Sequence, residues 1–263
     1  MRNRIASAAL LPAFLIAFIA LWELITIMFS IPGYLLPAPR QVFASLQTNW
    51  PLVVHHGGVT ITSTLAGFGL SIVIGVPLAV AIVYSKPLER VLYPILVASQ
   101  AIPKVAIAPL LIVWLGYGSA PKITVAFLIA FFPVVVNTAA GLKQVSGDML
   151  RLAASMGMSP LAVFRKLRFP MSVPSMMSGF KIAITLSVVG AVVGEFVGSR
   201  DGLGYLIMVA TGNFDTPLVF ACITALTIIG IALFYAIVLI DKRLSWWANH
   251  DDAAGIPAMS GTA

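Results

Sequence analysis

Six apolar runs, each about twenty residues or longer, recur along this chain of 263 residues. A helix needs about 20 apolar residues to cross the hydrocarbon core of a bilayer. Backbone polar groups in that core find no water, so each run is expected to be a helix. We therefore predict an all-α, polytopic membrane protein with about six transmembrane helices. The predicted spans cover residues 10–29, 59–84, 91–115, 123–142, 171–197 and 217–240.

The basic residues gather in alternate segments between these runs. Lys and Arg favour the cytoplasmic side of a membrane. With the N-terminus in the cytoplasm, the inside segments hold eleven of these residues and the outside segments hold three, Arg40, Lys122 and Arg200. An even number of spans then returns the C-terminus to the same side. We expect both termini to be cytoplasmic.

The composition supports a membrane class, since 60% of the residues are hydrophobic and 10% are charged, against about 25% charged in soluble domains. The net charge of +7 is then explained by the loops, and no nucleic-acid partner is expected. The first run is longer than the core of a signal peptide, so we expect it to remain as a helix. We predict one transmembrane domain over residues 1–263, with a core at about 59–241 and a disordered tail at about 248–263.

Few residues are suited to catalysis or metal binding. The chain has one cysteine, Cys222, and three scattered histidines, so no metal site is predicted. The nine acidic residues do not cluster either, which disfavours a membrane-embedded enzyme. No phosphate-loop motif G-x-x-x-x-G-K-[ST] occurs, and we expect no ATP site or other cofactor on this chain. A stand-alone, ion-coupled secondary transporter remains an alternative, although the internal repeat common in such folds is not evident.

A basic, amphipathic segment separates the fourth and fifth runs. Asp148 is a candidate N-cap of one short helix, and Gly157 is expected to end it. Ser159 and Pro160 suit the start of a second helix. Pro170 is expected to stop that helix at the membrane surface. From these residues alone, the segment is a pair of short cytoplasmic helices that binds either a soluble partner or anionic lipid.

This segment resembles the EAA loop of binding-protein-dependent ABC transporter permeases. That loop reads E-A-A, three residues, G, nine residues and I-x-L-P. The glycine-to-proline spacing matches here, whereas Arg151 replaces the acidic residue and Leu152 replaces the first alanine. The residues expected to couple to an ATPase are Arg151, Leu152, Ala153, Ala154, Gly157, Leu167 and Pro170.

Further segments are similar to the nitrate/sulfonate/taurine-type subfamily, namely LPAP at 36–39, AIPKVAIAPL at 101–110, WLGYG at 114–118 and GEF with GLGYLI at 194–207. The resemblance implies a non-catalytic permease subunit of an ATP-driven importer in a bacterial inner membrane. Its solute would be small and polar or anionic, of the nitrate, sulfonate, taurine or pyrimidine-type vitamin precursor class. The resemblance also implies three partners: a separate ATPase that holds ATP and Mg, an extracytoplasmic substrate-binding protein, and a second permease copy in a homodimer.

Three ionisable side chains, Lys104, Lys181 and Glu195, fall within or near the apolar runs. A charge in a span is costly and usually faces protein or water. We predict that these three line the solute pathway. Lys104 follows Pro103 in a region where the helix is expected to break. An ion pair of Lys104 with Glu195 or Glu23 is an equally open structural hypothesis.

Overall fold

The computed structural model describes residues 2–244, with side chains from residue 13 onward, and every regular element in that part is helical. The predicted tail at 248–263 lies outside the described residues. In chain order the helices are α1 (Arg2–Met28), α2 (Pro39–Thr48), α3 (Trp50–Tyr84), α4 (Lys86–Ala101), α5 (Lys104–Leu115), α6 (Ser119–Leu142), α7 (Gly147–Ser155), α8 (Pro160–Val163), α9 (Phe169–Gly198), α10 (Leu203–Gly212) and α11 (Thr216–Leu244). One π-helical turn, Phe164–Arg168, joins α8 to α9.

The centre of the bundle is the pair α6 and α9, against which α3 packs. At one point of this pair, a Cβ atom on Gly190 would lie 2.6 Å from the Cα of Ala126. Only glycine permits that approach, and small residues are how membrane helices come close. Beside it, Phe68 of α3, Val134 of α6 and Ile184 of α9 form a buried apolar cluster. α3, α6 and α9 therefore form the core of the bundle.

Within residues 2–244, four helical stretches are long and apolar enough to cross a bilayer: α3, α6, the continuous stretch Pro160–Gly198, and α11. A fifth is added if α4 and α5 form one broken span, and Ala13–Met28 is a shorter apolar helix. Large apolar side chains such as Val113 and Trp114 are exposed on the outside, which suits lipid rather than water. The all-helical, polytopic fold is therefore confirmed. The count of six spans and the orientation stay predictions.

The helices do not begin and end where the predicted spans do, and two of the differences have a clear local cause. α3 begins at Trp50, nine residues (59 − 50) before the predicted start, because Pro51 suits a first helical turn and only Asn49 separates α3 from α2. The run at 91–115 is not one helix: α4 and α5 meet at an angle of 96°. Ile102, which precedes Pro103, is extended, as residues before proline prefer to be.

Candidate functional site

The helix α7 is the first part of the basic segment between α6 and α9. Its N-cap is Ser146, whose hydroxyl accepts a hydrogen bond from the Met149 N–H at 3.3 Å. The prediction that Asp148 is the cap was wrong. Asp148 lies in the first turn instead, where a negative charge suits the helix dipole. Its carboxylate forms an exposed ion pair with Arg151.

The turn after α7 depends on Gly157, as predicted. This residue has φ +71°, in the left-handed region that favours glycine. The Gly157 N–H donates to the Ala154 carbonyl at 3.0 Å, and the Met158 N–H donates to the Ala153 carbonyl at 3.0 Å. These two bonds are those of a Schellman motif, which satisfies the last carbonyls of the helix. The turn is therefore short and defined by its backbone.

The second helix of the segment starts as predicted but does not stop as predicted. Ser159 caps it by accepting from the Ala162 N–H at 3.3 Å, and Pro160 is its first residue. The chain then continues through the π-helical turn into α9 without a stop at Pro170. Proline lacks an N–H and its ring crowds the preceding turn. The π-helical turn ends at Arg168, two residues before Pro170, and gives the proline room because such bulges widen a helix locally.

An apolar groove of about 480 Å³ lies between α7 and the start of the Pro160–Gly198 stretch. Ala153 forms its buried floor, and Leu152, which is 61% exposed, stands on its wall. Lys166 and Leu167 close the other side. The groove thus brings together the predicted residues Leu152, Ala153 and Leu167. Arg151 and Ala154 are exposed on α7 outside it.

The segment is connected to the bundle through Arg168, the last residue of the π-helical turn. Its guanidinium lies 5.2 Å from the centre of the Tyr84 ring at the end of α3. Its Nη1 also donates to the carbonyl of Leu142, the last residue of α6, at 3.5 Å. A cation over an aromatic face is stabilised by the ring quadrupole. The π-helical turn is therefore in contact with the ends of both α3 and α6.

The three predicted pathway residues do not lie in one place. Lys104 is the first residue of α5, and its ammonium hydrogen-bonds to Gln100 across the break in the bent pair. Neither carboxylate proposed as its structural partner is paired with it: Glu23 binds Arg40 at 3.3 Å, and Glu195 has other donors. The structural ion-pair hypothesis for Lys104 is therefore not supported by this geometry.

Glu195 lies inside the protein, 1% exposed, near the end of α9. Its Oε1 accepts from the Thr60 hydroxyl at 2.9 Å, and its Oε2 accepts from the Gly204 N–H at 2.9 Å. The Leu203 N–H donates to Thr60 Oγ1 at 2.9 Å. The carboxylate thus joins α3 to the start of α10. These contacts give Glu195 a structural role, and its role in the solute pathway stays a prediction.

Two charged residues near these positions were not recognised as important from the sequence. Lys122 was assigned to an outside loop, but α6 begins at Ser119, and Lys122 is a buried residue of its first turn. Asp241 was not singled out, yet its carboxylate contacts Lys181. Each lies one residue outside a predicted run, Lys122 before 123–142 and Asp241 after 217–240. This position was the available signal, because ionisable groups at the end of a span need partners.

A bundle with several helices long and apolar enough to span a bilayer, and a two-helix loop at one end, is that of an integral membrane protein. Residues 71–246 match the family described as the binding-protein-dependent transport system inner membrane component. The chain belongs to this family, the permeases of ABC importers.

The relatives agree with this assignment. The chain is 38% identical to the formylaminopyrimidine transport permease protein ThiX of Halalkalibacterium halodurans, over 89% of this chain and 94% of the relative. It is 30% identical to the putative aliphatic sulfonates transport permease protein SsuC of Bacillus subtilis, over 91% and 87% of the two chains. The predicted resemblance to the sulfonate/taurine-type permeases is confirmed.

A solved structure shows the same fold. The MetNI methionine ABC transporter, in an inward-facing conformation, matches with a TM-score of 0.66 at 20% identity. The match covers 75% of this chain and 98% of the other. At that identity the likeness concerns the fold alone.

Proposed function

We propose that this permease forms the solute pathway of an importer that is driven by a separate ATP-hydrolysing subunit, which docks on the groove beside α7. The groove is the observation that carries the proposal. It presents apolar wall residues, among them Leu152 and Met156, on an otherwise polar and basic loop. Exposed apolar surface with a polar rim is typical of a protein interface.

The way the loop is built suits the transmission of movement. The Schellman turn at Gly157 holds α7 against the start of the Pro160–Gly198 stretch. Arg168 then connects that stretch to the ends of α3 and α6. A displacement of the docked ATPase would therefore reach three central helices through direct contacts.

Arg151 replaces the acidic residue of the EAA loop, but an acid is still present on this face. Asp148 lies one turn earlier on α7 and is exposed beside Arg151. We infer that Asp148 and Arg151 together present the charges that a partner contacts at the groove edge. Surface pairs of this kind contribute mainly to specificity and association rate.

The remaining parts of the assembly follow from the family. We propose that ATP and Mg bind to the partner ATPase, that an extracytoplasmic binding protein delivers the solute, and that two copies of this permease pair in the inner membrane with all termini cytoplasmic. The solute is proposed to be small and polar or anionic. The names of the relatives, which refer to a formylaminopyrimidine and to aliphatic sulfonates, support this class.

The decisive experiment places a charge in the groove. Leu152→Glu is expected to weaken co-purification of the ATPase by about tenfold to a hundredfold, because a carboxylate would be desolvated at the interface. Ser155→Glu is the matched control, since Ser155 is an exposed residue of the same helix that does not line the groove. ATP hydrolysis by the reconstituted complex is measured in parallel.

If Leu152→Glu and Ser155→Glu changed co-purification of the ATPase to the same extent, the groove would not be the docking surface. Purification of the chain without any ATPase, together with uptake that collapses a proton gradient and needs no ATP, would instead favour the ion-coupled transporter.

A further inference from the structure

A cavity of about 530 Å³ lies at the end of the bundle opposite α7. Its walls are the first turn of α6, the end of α9 and the loop after α9, which contribute Lys122, Ser199 and Arg200. α6 has 24 residues, so its first turn is about 36 Å from the end that leads to α7. The orientation predicted above places this cavity on the extracytoplasmic side.

The ammonium group of Lys122 is the unusual feature of this cavity. The residue is 4% exposed, and its Nζ reaches the Ser199 hydroxyl at 3.2 Å and the Asp201 carbonyl at 3.4 Å. An ammonium has three donors. No third acceptor and no carboxylate within 4.0 Å of Nζ is found among the residues with described side chains. Both of its hydrogen-bond partners are neutral, and a buried charge is costly, so a negative group in the cavity would stabilise it.

The two nearby acids do not contact the ammonium, although the Glu195 carboxylate interacts with Lys122 electrostatically. Glu195 uses Oε1 for Thr60 and Oε2 for the Gly204 N–H. Asp201 turns its half-exposed carboxylate toward His55, with 3.9 Å between Oδ1 and Nε2. Among the charged residues that line the cavity, Lys122 and Arg200 outnumber Asp201. The cavity therefore combines a buried cation, a second cation in its wall and hydroxyl donors.

We propose that this cavity receives the anionic group of a small solute, a carboxylate or sulfonate, on the ammonium of Lys122. The volume is within the range of about 300–1,000 Å³ that small-molecule sites have. A volume of this size holds a whole small molecule, so a free anion is the occupant that fits the cavity. The proposal rests on the proposed function, since an importer receives solute at this end.

The test measures the charge preference of the cavity directly. Ser199→Cys in the full-length chain, in membrane vesicles, places a thiol beside Lys122; the native Cys222 is fully buried and stays unlabelled. The probes are two methanethiosulfonate reagents of similar size, one with a sulfonate and one with a trimethylammonium group. Thr211→Cys, an exposed position on α10, corrects for their intrinsic reactivity.

We expect the anionic reagent to react about tenfold faster than the cationic one at Ser199→Cys after this correction, because a cation within a few ångströms acts through a low dielectric. Adding Lys122→Met should bring the two rates close together, and Lys122→Arg should keep the preference. In the single variant Ser199→Cys, which keeps Lys122, about 1 M salt should reduce the preference for the anionic reagent.

Acetate and methanesulfonate serve as competitors. Protection by either anion, but not by tetramethylammonium, supports the proposal. Equal rates for the two reagents would overturn it. Protection that appears only when an extracytoplasmic binding protein is added would also overturn it, because a protein carboxylate would then be the occupant. The labelling requires neither ATP nor transport, so a failed docking test at Leu152 leaves its result unaffected.

Discussion

Lys181 of α9 and Asp241 of α11 form an ion pair, with 2.5 Å between Nζ and Oδ2. Both side chains are largely buried, at 25% and 18% exposure. The pair joins the long central helix to the last helix described, near the end of the bundle where α11 finishes. Lys181 is therefore not a lone cation, although its predicted place in the solute pathway remains to be tested.

Removing one member of this pair should destabilise the protein. Lys181→Met leaves the Asp241 carboxylate with one charged partner fewer. The coupling energy of the pair is expected to be about 1–3 kcal/mol, a value between those of surface pairs and of fully buried pairs. A double-mutant cycle with Asp241→Asn, read from unfolding in detergent, measures this energy. Strictly additive effects would show that the pair contributes nothing.

The turn between α7 and α8 should tolerate only residues that adopt a positive φ. Gly157→Ala is expected to cost about 1–2 kcal/mol locally, because an L residue is strained in the left-handed region. The expected readout is reduced co-purification of the ATPase. Gly147→Ala is the control: a Cβ meets nothing within 4 Å at either glycine, but only Gly157 has a positive φ. The same loss in both variants would contradict the role given to the turn.

The loop after α9 should be equally sensitive at Gly202. This residue has φ +115°, and a Cβ atom there would lie 2.1 Å from the Glu195 Cδ. Its N–H also donates to His56 Nδ1 at 3.0 Å. Gly202→Ala should therefore lower the unfolding midpoint by several degrees, as about 2 kcal/mol or more of strain would. Gly212→Ala, with open space at the Cβ, should leave the midpoint nearly unchanged.

The crossing of α6 and α9 offers a test of the packing. Gly190→Ala would bring a methyl group to 2.6 Å from the Ala126 Cα, so the helices would have to separate. Such overpacking typically costs about 1–3 kcal/mol. Gly230→Ala on α11, where nothing lies within 4 Å, is the matched control. A fluorescence-monitored melt of both variants gives the comparison, and equal midpoints would argue against close contact in the membrane.

The long apolar helices, the end of α7 and the start of α8 were predictable because each depends on local chemistry. Apolar length predicted the helices, and Gly157, Ser159 and Pro160 have preferences that few other residues share. The continuation through Pro170 was not predictable in this way. A proline often marks a helix boundary, but here the helix continues past Pro170 after a π-helical turn.

The position of the charged residues depended on tertiary contacts that the sequence does not display. Lys122 and Glu195 are 73 residues (195 − 122) apart in the chain, and both are buried near the end of α9. Their neighbours come from α3 and from the loop after α9. A pattern of apolar residues identifies the helix that holds each charge, but not the element that faces it.

The continuous stretch Pro160–Gly198 has 39 residues, one end beside the groove and the other beside the cavity of Lys122. At 1.5 Å per residue it is a rod of about 58 Å. In a helix of that length, a tilt of only about 5° around one end moves the other end by about 5 Å. A displacement of this size is comparable to the width of a small solute, and no part of the helix has to unfold to produce it.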